Sequence, residues 1–112
     1  MLQRGWGRIV NVSAAAATGA GLPRASAYSV SKAGLDMLTR HLAAELSGSG
    51  VTVNSVWPGG VRTGMLAAYR GLRPGDADPA EPARLIANLL AGQASGEVVD
   101  SHGEQGRRLR RG

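Results

Sequence analysis

Tyr28 and Lys32, four positions apart in the stretch Tyr-Ser-Val-Ser-Lys, are the residues whose types and spacing are best suited to chemistry. On a helix such a pair shares one face, with Cβ atoms about 5–6 Å apart. A phenol has a reference pKa of about 10 and exchanges protons poorly near pH 7, but a neighbouring ammonium favours the phenolate. The pair therefore predicts a general acid/base in which the lysine assists the tyrosine.

The residues on either side of this pair predict the elements that must position it. Residues 7–13 form an apolar run that ends in Asn-Val-Ser and predict a strand. Residues 51–57 predict a second strand, which runs into a Pro-Gly-Gly loop at residues 58–60. Between the strands, residues 26–46 predict a long helix with Ser26 as its N-cap.

Leucines recur at helical spacing along this predicted helix and indicate a stripe that faces the core. They are Leu35, Leu38, Leu42 and Leu46. Asp36 and Arg40 have the spacing of an ion pair on the helix surface, worth about a few tenths of a kcal/mol at most. Trp6 and Trp57 flank the two strands and are expected to pack against the fold.

The rest of the chain predicts an alternation of strands and helices. Residues 64–78 predict a flexible stretch, residues 79–90 an amphipathic helix opened by Asp-Pro, and residues 97–100 a third strand. Residues 2–5 are typical of a last helical turn closed by glycine, so the chain is expected to begin partway through an element. Strand, helix, strand, helix, strand implies an α/β fold with a parallel sheet.

Composition limits the classes of protein and of site. A chain of 112 residues holds one domain at most, and the absence of cysteine excludes a disulfide framework and thiolate metal sites. The two histidines stand alone, so no metal site is expected. No apolar run approaches the roughly 20 residues of a membrane span, and the first residues lack the apolar core of a signal peptide. We therefore expect a cytoplasmic protein without a membrane segment.

The net charge of +5 is concentrated at one end of the chain. Four of these charges belong to Arg107, Arg108, Arg110 and Arg111, so the remaining residues carry only +1. Residues 105–112 are expected to form an Arg-rich, disordered tail. Such a tail can attract phosphates without sequence preference, which leaves nucleic-acid binding as a remote alternative function.

Three motifs follow one another in a fixed order along the chain. Asn-Val-Ser ends the first predicted strand, Tyr-Ser-Val-Ser-Lys-Ala-Gly follows, and Val-Asn-Ser-Val-Trp-Pro-Gly-Gly-Val-Arg-Thr comes last. In this combination they resemble the C-terminal half of the short-chain dehydrogenase/reductase family. The resemblance covers about residues 1–103. It implies that residues 1–104 are the C-terminal part of a Rossmann-like, doubly wound parallel sheet.

The resemblance also implies an activity, a cofactor and the residues of a site. The family moves hydride between NAD or NADP and a small-molecule carbonyl or secondary alcohol, with the tyrosine of the motif as acid/base and the lysine assisting it. The implied cofactor contacts are Tyr28, Lys32, Pro58, Gly59, Val61 and Thr63. In the family the helix of residues 26–46 often lies at a two-fold interface, which implies a homo-oligomer.

Two departures from the family pattern limit this expectation. The family pattern at the end of the first strand is Asn-Val-Ser-Ser, and the second serine, which polarises the substrate carbonyl, is replaced here by Ala14. Ser13 is a candidate catalytic substitute, although successive strand residues point to opposite faces. Losing one donor to a developing oxyanion lowers a rate about a hundredfold or more.

The second departure concerns the cofactor. The family holds the dinucleotide pyrophosphate with a glycine-rich turn at a helix N-terminus, and this sequence contains no equivalent after a first strand. The alternative interpretation is therefore a truncated, non-catalytic remnant that acts, if at all, through association of the helix of residues 26–46 with another subunit.

Overall fold

The computed structural model describes residues 1–19, 21–101 and 107–109, and a sheet lies at the centre of the described fold. The strands are β1 (Gly7–Val12), β2 (Val51–Trp57), β3 (Val98–Asp100) and β4 (Arg107–Leu109), in that spatial order. The helices are α1 (Ser26–Glu45), α2 (Gly64–Arg70) and α3 (Ala80–Ala91). Short 3-10 turns lie at Leu2–Arg4 and Ala15–Ala17.

The predicted parallel α/β architecture is confirmed for the first three strands. β1 pairs with β2 from Gly7 opposite Val51 to Val12 opposite Val56, and β2 pairs with β3 in the same direction. Every residue of β2 is buried, as expected for a strand covered on both faces. Because β1 and β2 are parallel and in register, their carboxyl ends meet at one edge of the sheet.

Helices cover both faces of the sheet. On one face, α1 lies over side chains of β1 and β2, and its Thr39 Oγ1 accepts a hydrogen bond of 3.0 Å from Asn11 Nδ2. On the other face, Val56 packs with Leu89 of α3 and with Val99 of β3. This alternation of β2 side chains between two helical layers is the doubly wound arrangement that the family resemblance implies.

The predicted leucine stripe of α1 does not form the contact between the helix and the sheet. The buried side chains of α1 are Asp36, Thr39 and Ala43. Leu38 is 50% exposed, and Leu35, Leu42 and Leu46 are only half-buried. The stripe prediction was wrong because the facing strands present hydroxyl, amide and indole groups, which polar helix side chains can satisfy. The N-cap prediction was also wrong: the cap is Ala25, and no side chain caps the helix.

The segment expected to be flexible contains a helix. Residues 64–70 form α2, whose N-cap Thr63 accepts a hydrogen bond at Oγ1 from the Leu66 N–H at 3.2 Å. The next helix begins as predicted after Asp-Pro, with Asp78 Oδ1 accepting from the Ala80 N–H at 2.8 Å. The sequence did not indicate α2 because seven residues are too few for a clear helical period.

The C-terminal segment also differs from its prediction. Residues 107–109, expected to lie in a disordered tail, form β4, which pairs antiparallel with β3. The other residues of 105–112 lie outside the described part of the chain. Within that part, no helix has both the length and the apolar character needed to cross a membrane.

Candidate active site

Tyr28 and Lys32 meet on the first two turns of α1, as their spacing predicts. The Lys32 Nζ atom lies 5.8 Å from the centroid of the Tyr28 ring. Tyr28 is 52% exposed, and no hydrogen bond within the described part of the chain engages its hydroxyl. The arrangement places an ammonium beside an accessible phenol, which is what acid/base use of the phenol requires.

The Lys32 ammonium is anchored to the sheet. Its Nζ donates a hydrogen bond of 2.9 Å to the carbonyl oxygen of Val12, the last residue of β1. An ammonium carries three donors, so this contact leaves two for a ligand or a neighbour. The hydrogen bond holds the lysine at the carboxyl edge of the sheet, where ligands bind in open α/β folds.

Ser13 continues the end of β1 and turns its side chain toward α1. Its N–H donates to the carbonyl oxygen of Val56 at 2.8 Å, and its Oγ donates to the carbonyl oxygen of Lys32 at 3.2 Å. The side chain is buried. The Ser13 hydroxyl proton is therefore committed to the helix backbone and, as placed, is not offered to a substrate. Ala14 follows in an extended conformation and contributes no hydroxyl.

The loop after β2 lies at the same edge of the sheet as Lys32. Pro58 and Gly59 directly follow the last residue of β2, and Gly59 has a φ of 68°, a conformation that favours glycine. At Gly60 a Cβ would overlap the carboxylate of Asp76 and the guanidinium of Arg70. The backbone conformation thus favours glycine at position 59, whereas a side chain at position 60 would displace the ends of the Arg70 and Asp76 side chains.

Val61 lies in a two-bond backbone bridge to Ala77. The Arg62 N–H donates to the Ala77 carbonyl at 2.9 Å, and the Ala77 N–H donates to the Gly60 carbonyl at 2.8 Å. Neither bond uses the N–H or the carbonyl of Val61 itself, which leaves both for a ligand. The exposed Thr63 hydroxyl accepts from α2 and still has its proton to donate.

An ion pair missed in the sequence closes the segment that carries α2. Arg70 donates to both carboxylate oxygens of Asp76, at 2.6 and 3.1 Å, and the Arg73 N–H donates to the same carboxylate at 2.7 Å. The hydrogen bond from Arg70 is the main cause that lowers the Asp76 pKa to about 2. The contact spans only six residues of a loop, for which sequence periodicity gives no signal.

This ion pair predicts a pH dependence of stability. Because the folded pKa of Asp76 is below its ordinary value of 3.8, the stabilising contribution is complete above about pH 4 and is lost as the pH falls toward 2. In Asp76→Asn and Arg70→Met we expect the melting temperature to fall less between pH 4 and pH 2 than it does in the wild type. Thermal melts monitored by circular dichroism test this, and an unchanged slope in both variants would contradict it.

A second contact missed in the sequence joins α1 to the end of β2. Asp36 is buried and accepts hydrogen bonds from Ser55 Oγ at 2.7 Å and from Trp57 Nε1 at 2.9 Å. The predicted surface pair with Arg40 was therefore wrong, because the carboxylate faces the sheet. One signal in the sequence pointed this way: Asp36 lies four residues after Lys32 and shares its stripe of the helix.

Comparison with known proteins identifies relatives of this chain. The family pattern described as short chain dehydrogenase matches residues 1–72. Nodulation protein G of Azospirillum brasilense is 35% identical over 116 residues, which cover 92% of this chain and 47% of that protein.

Solved structures give the same picture. A short chain dehydrogenase/reductase family protein has a TM-score of 0.79 and 39% identity, over 90% of this chain and 47% of that one. Actinorhodin polyketide ketoreductase with NADPH has a TM-score of 0.77 and 30% identity, over 89% of this chain and 47% of that one. The chain thus spans about half the length of these relatives.

Proposed function

The chain belongs to the short-chain dehydrogenase family, and from this premise we propose that it supplies the acid/base half of an oxidoreductase site for a small-molecule carbonyl or secondary alcohol. The observation that carries the proposal is the contact of the Lys32 ammonium with the exposed Tyr28 phenol at the carboxyl edge of the sheet. The known structure of a related ketoreductase with NADPH supports NAD or NADP as the cofactor.

In the proposed reduction, Tyr28 donates its phenolic proton to the carbonyl oxygen of the substrate. When bound, NAD(P)H would supply the hydride that the carbonyl carbon accepts. In the reverse direction the phenolate accepts the hydroxyl proton of the alcohol. Lys32 stabilises the phenolate by its positive charge and, with its remaining donors, holds a cofactor hydroxyl.

The loop after β2 fits the nicotinamide end of such a cofactor. Gly59 has no Cβ to hinder a flat ring, and Pro58 precedes it at the end of the strand. A carboxamide needs one acceptor and one donor, which the free carbonyl and N–H of Val61 provide. The hydroxyl of Thr63 supplies a further donor.

Beside Tyr28, the site lacks the second donor that the family's serine would offer to the oxygen that becomes negatively charged. Ala14 occupies the position of the family's serine, and the Ser13 hydroxyl is held by the Lys32 carbonyl. We therefore propose that Ser13 serves the structure at the end of β1, and that any turnover is slow for a member of this family.

The loop assignment is tested by titrating the protein with nicotinamide mononucleotide and following backbone amide signals by NMR. We expect the largest shifts at Gly59, Gly60 and Val61. Thr63→Val should weaken binding about five- to tenfold, the equivalent of one hydrogen bond. Ser47→Ala, at the opposite edge of the sheet, serves as the matched control. Shifts that avoid the loop, or equal losses in both variants, would contradict the assignment.

A second candidate function is association with another subunit through α1. Several apolar side chains of this helix are exposed, including Val30 at 71%, Met37 at 49% and Leu38 at 50%. Exposed apolar groups of this kind favour helix contacts between subunits, and a homo-oligomer would bury them. This function needs no nicotinamide binding. An oligomer that gives no loop shifts in the titration would therefore favour association as the surviving role.

A further inference from the structure

The helix that carries the proposed acid/base pair has a third polar residue on the same stripe. Tyr28, Lys32 and Asp36 follow one another at intervals of four, so their side chains lie above one another on α1. The stripe becomes buried along its length: Tyr28 is 52% exposed, whereas Asp36 is only 7% exposed. The reacting end of the helix thus continues into a buried carboxylate.

Each oxygen of this carboxylate has its own partner on β2. Ser55 Oγ donates to Oδ1 at 2.7 Å, and Trp57 Nε1 donates to Oδ2 at 2.9 Å. Because an indole N–H lies in the plane of its ring, the second bond also restrains the orientation of that ring. A buried carboxylate that loses its hydrogen-bond donors raises the free energy of the folded protein. Rotation of α1 about its axis is therefore restricted to the orientation that keeps both bonds.

Trp57 is the residue at which β2 gives way to the loop. Its carbonyl oxygen accepts hydrogen bonds from the N–H and the Oγ of Ser101, both at 3.0 Å. Its side chain is held by Asp36 of α1. Trp57 is therefore tied at its backbone and at its ring, directly before Pro58.

We propose that Asp36 and Trp57 form a positioning pair, whose hydrogen bond sets the orientation of Tyr28 and Lys32 relative to the Pro58–Gly60 loop. This inference rests on the proposed function, in which the tyrosine and the loop act on the same substrate and cofactor. Asp36 touches neither of these. It acts through the helix on one side and through the tryptophan on the other.

Variants at Asp36 separate the hydrogen bond from the charge. In Asp36→Asn the amide oxygen can accept from the Trp57 indole while the amide nitrogen donates to Ser55 Oγ, so both contacts survive. Asp36→Leu removes both contacts and keeps a side chain of similar size. Trp57→Phe removes the indole donor alone. Thr39→Val, one turn further along α1, breaks a different contact to the sheet and is the matched control.

NMR on the protein tests the structural half of the proposal. We expect the Trp57 indole proton to exchange with solvent about ten- to hundredfold more slowly than that of the exposed Trp6, the equivalent of a hydrogen bond to a charged group. Asp36→Leu should abolish this difference in exchange rate, whereas Asp36→Asn should keep most of it. Asp36→Leu and Trp57→Phe should shift the amide signals of Gly59 and Gly60, whereas Thr39→Val should lower the melting temperature without shifting them.

Kinetics with NADPH and a carbonyl substrate tests the functional half. Asp36→Leu and Trp57→Phe should lower kcat about ten- to hundredfold with a smaller change in the KM for the cofactor, because a misplacement of about 1 Å has effects of that size. Combining the two substitutions should add little.

Unchanged Gly59 and Gly60 signals in folded Trp57→Phe and Asp36→Leu would overturn the positioning role. If Asp36→Leu does not fold, Trp57→Phe decides alone. A protein that shows the predicted shifts but no turnover, even as wild type, would refute the proposed function and leave the structural coupling standing.

Discussion

Tyr28→Phe is expected to lower kcat for carbonyl reduction about a hundredfold to ten-thousandfold, the range ascribed to a positioned general acid. The substitution removes the phenolic hydroxyl and keeps the ring that lies beside the Lys32 ammonium. Binding of the cofactor should change much less than turnover, since the loop after β2 is untouched. Loss of NADPH absorbance with a carbonyl substrate measures the effect.

The chain provides a matched control in Tyr69, its other tyrosine. Tyr69 lies on α2 and is 84% exposed, with no role in the proposed proton transfer. Tyr69→Phe should therefore keep the wild-type kcat. Equal losses in the two variants would point to a general effect of removing a hydroxyl, and wild-type turnover in Tyr28→Phe would refute the assignment of the acid.

Ala14→Ser is expected to raise kcat about a hundredfold, the reverse of the loss that follows removal of one oxyanion donor. Ala14 has an extended backbone and is half-buried after the end of β1, so a serine fits there without a change of conformation. The added hydroxyl would donate to the oxygen that becomes negatively charged as the hydride arrives. Single-turnover rates at saturating NADPH measure the effect on the chemical step.

Ala15→Ser separates this gain from the mere addition of a hydroxyl nearby. Ala15 is the next residue and is exposed in the 3-10 turn. Its substitution should leave the rate unchanged. A gain in Ala15→Ser as large as in Ala14→Ser, or no gain in Ala14→Ser, would show that the missing donor does not limit the reaction.

The parts of the fold that the sequence predicted are those in which one segment carries its own signal. Residues 51–57 are a continuous run in which residues that favour strands predominate, and β2 covers the same residues in the structure. Such a run needs no alternating polar side, because the strand is covered on both faces. The spacing of Tyr28 and Lys32 likewise predicted their contact, since helix geometry alone brings them together.

The parts that the sequence did not predict depend on partners far along the chain. Asp36 was assigned to the surface because its spacing from Arg40 is that of an ion pair on a helix surface. Its actual partners lie 19 and 21 residues away on β2. The prediction that the leucine stripe faces the core was wrong for the same reason, since the polarity of the facing strands decides which side of α1 is buried. Helix periodicity shows which residues share a face of one helix, but it does not show which residues of the sheet that face contacts.

The two hydrogen bonds between Gly60, Arg62 and Ala77 have a consequence for evolution and for engineering. They hold the two ends of the segment that carries α2, residues 60–62 and Ala77, at neighbouring points of the fold. The entropy of closing such an excursion rises only slowly with its length. We therefore expect the segment to tolerate changes of length and sequence while Gly60 and Ala77 stay at neighbouring points. Under the proposed function, this makes the segment a natural place to change the substrate preference.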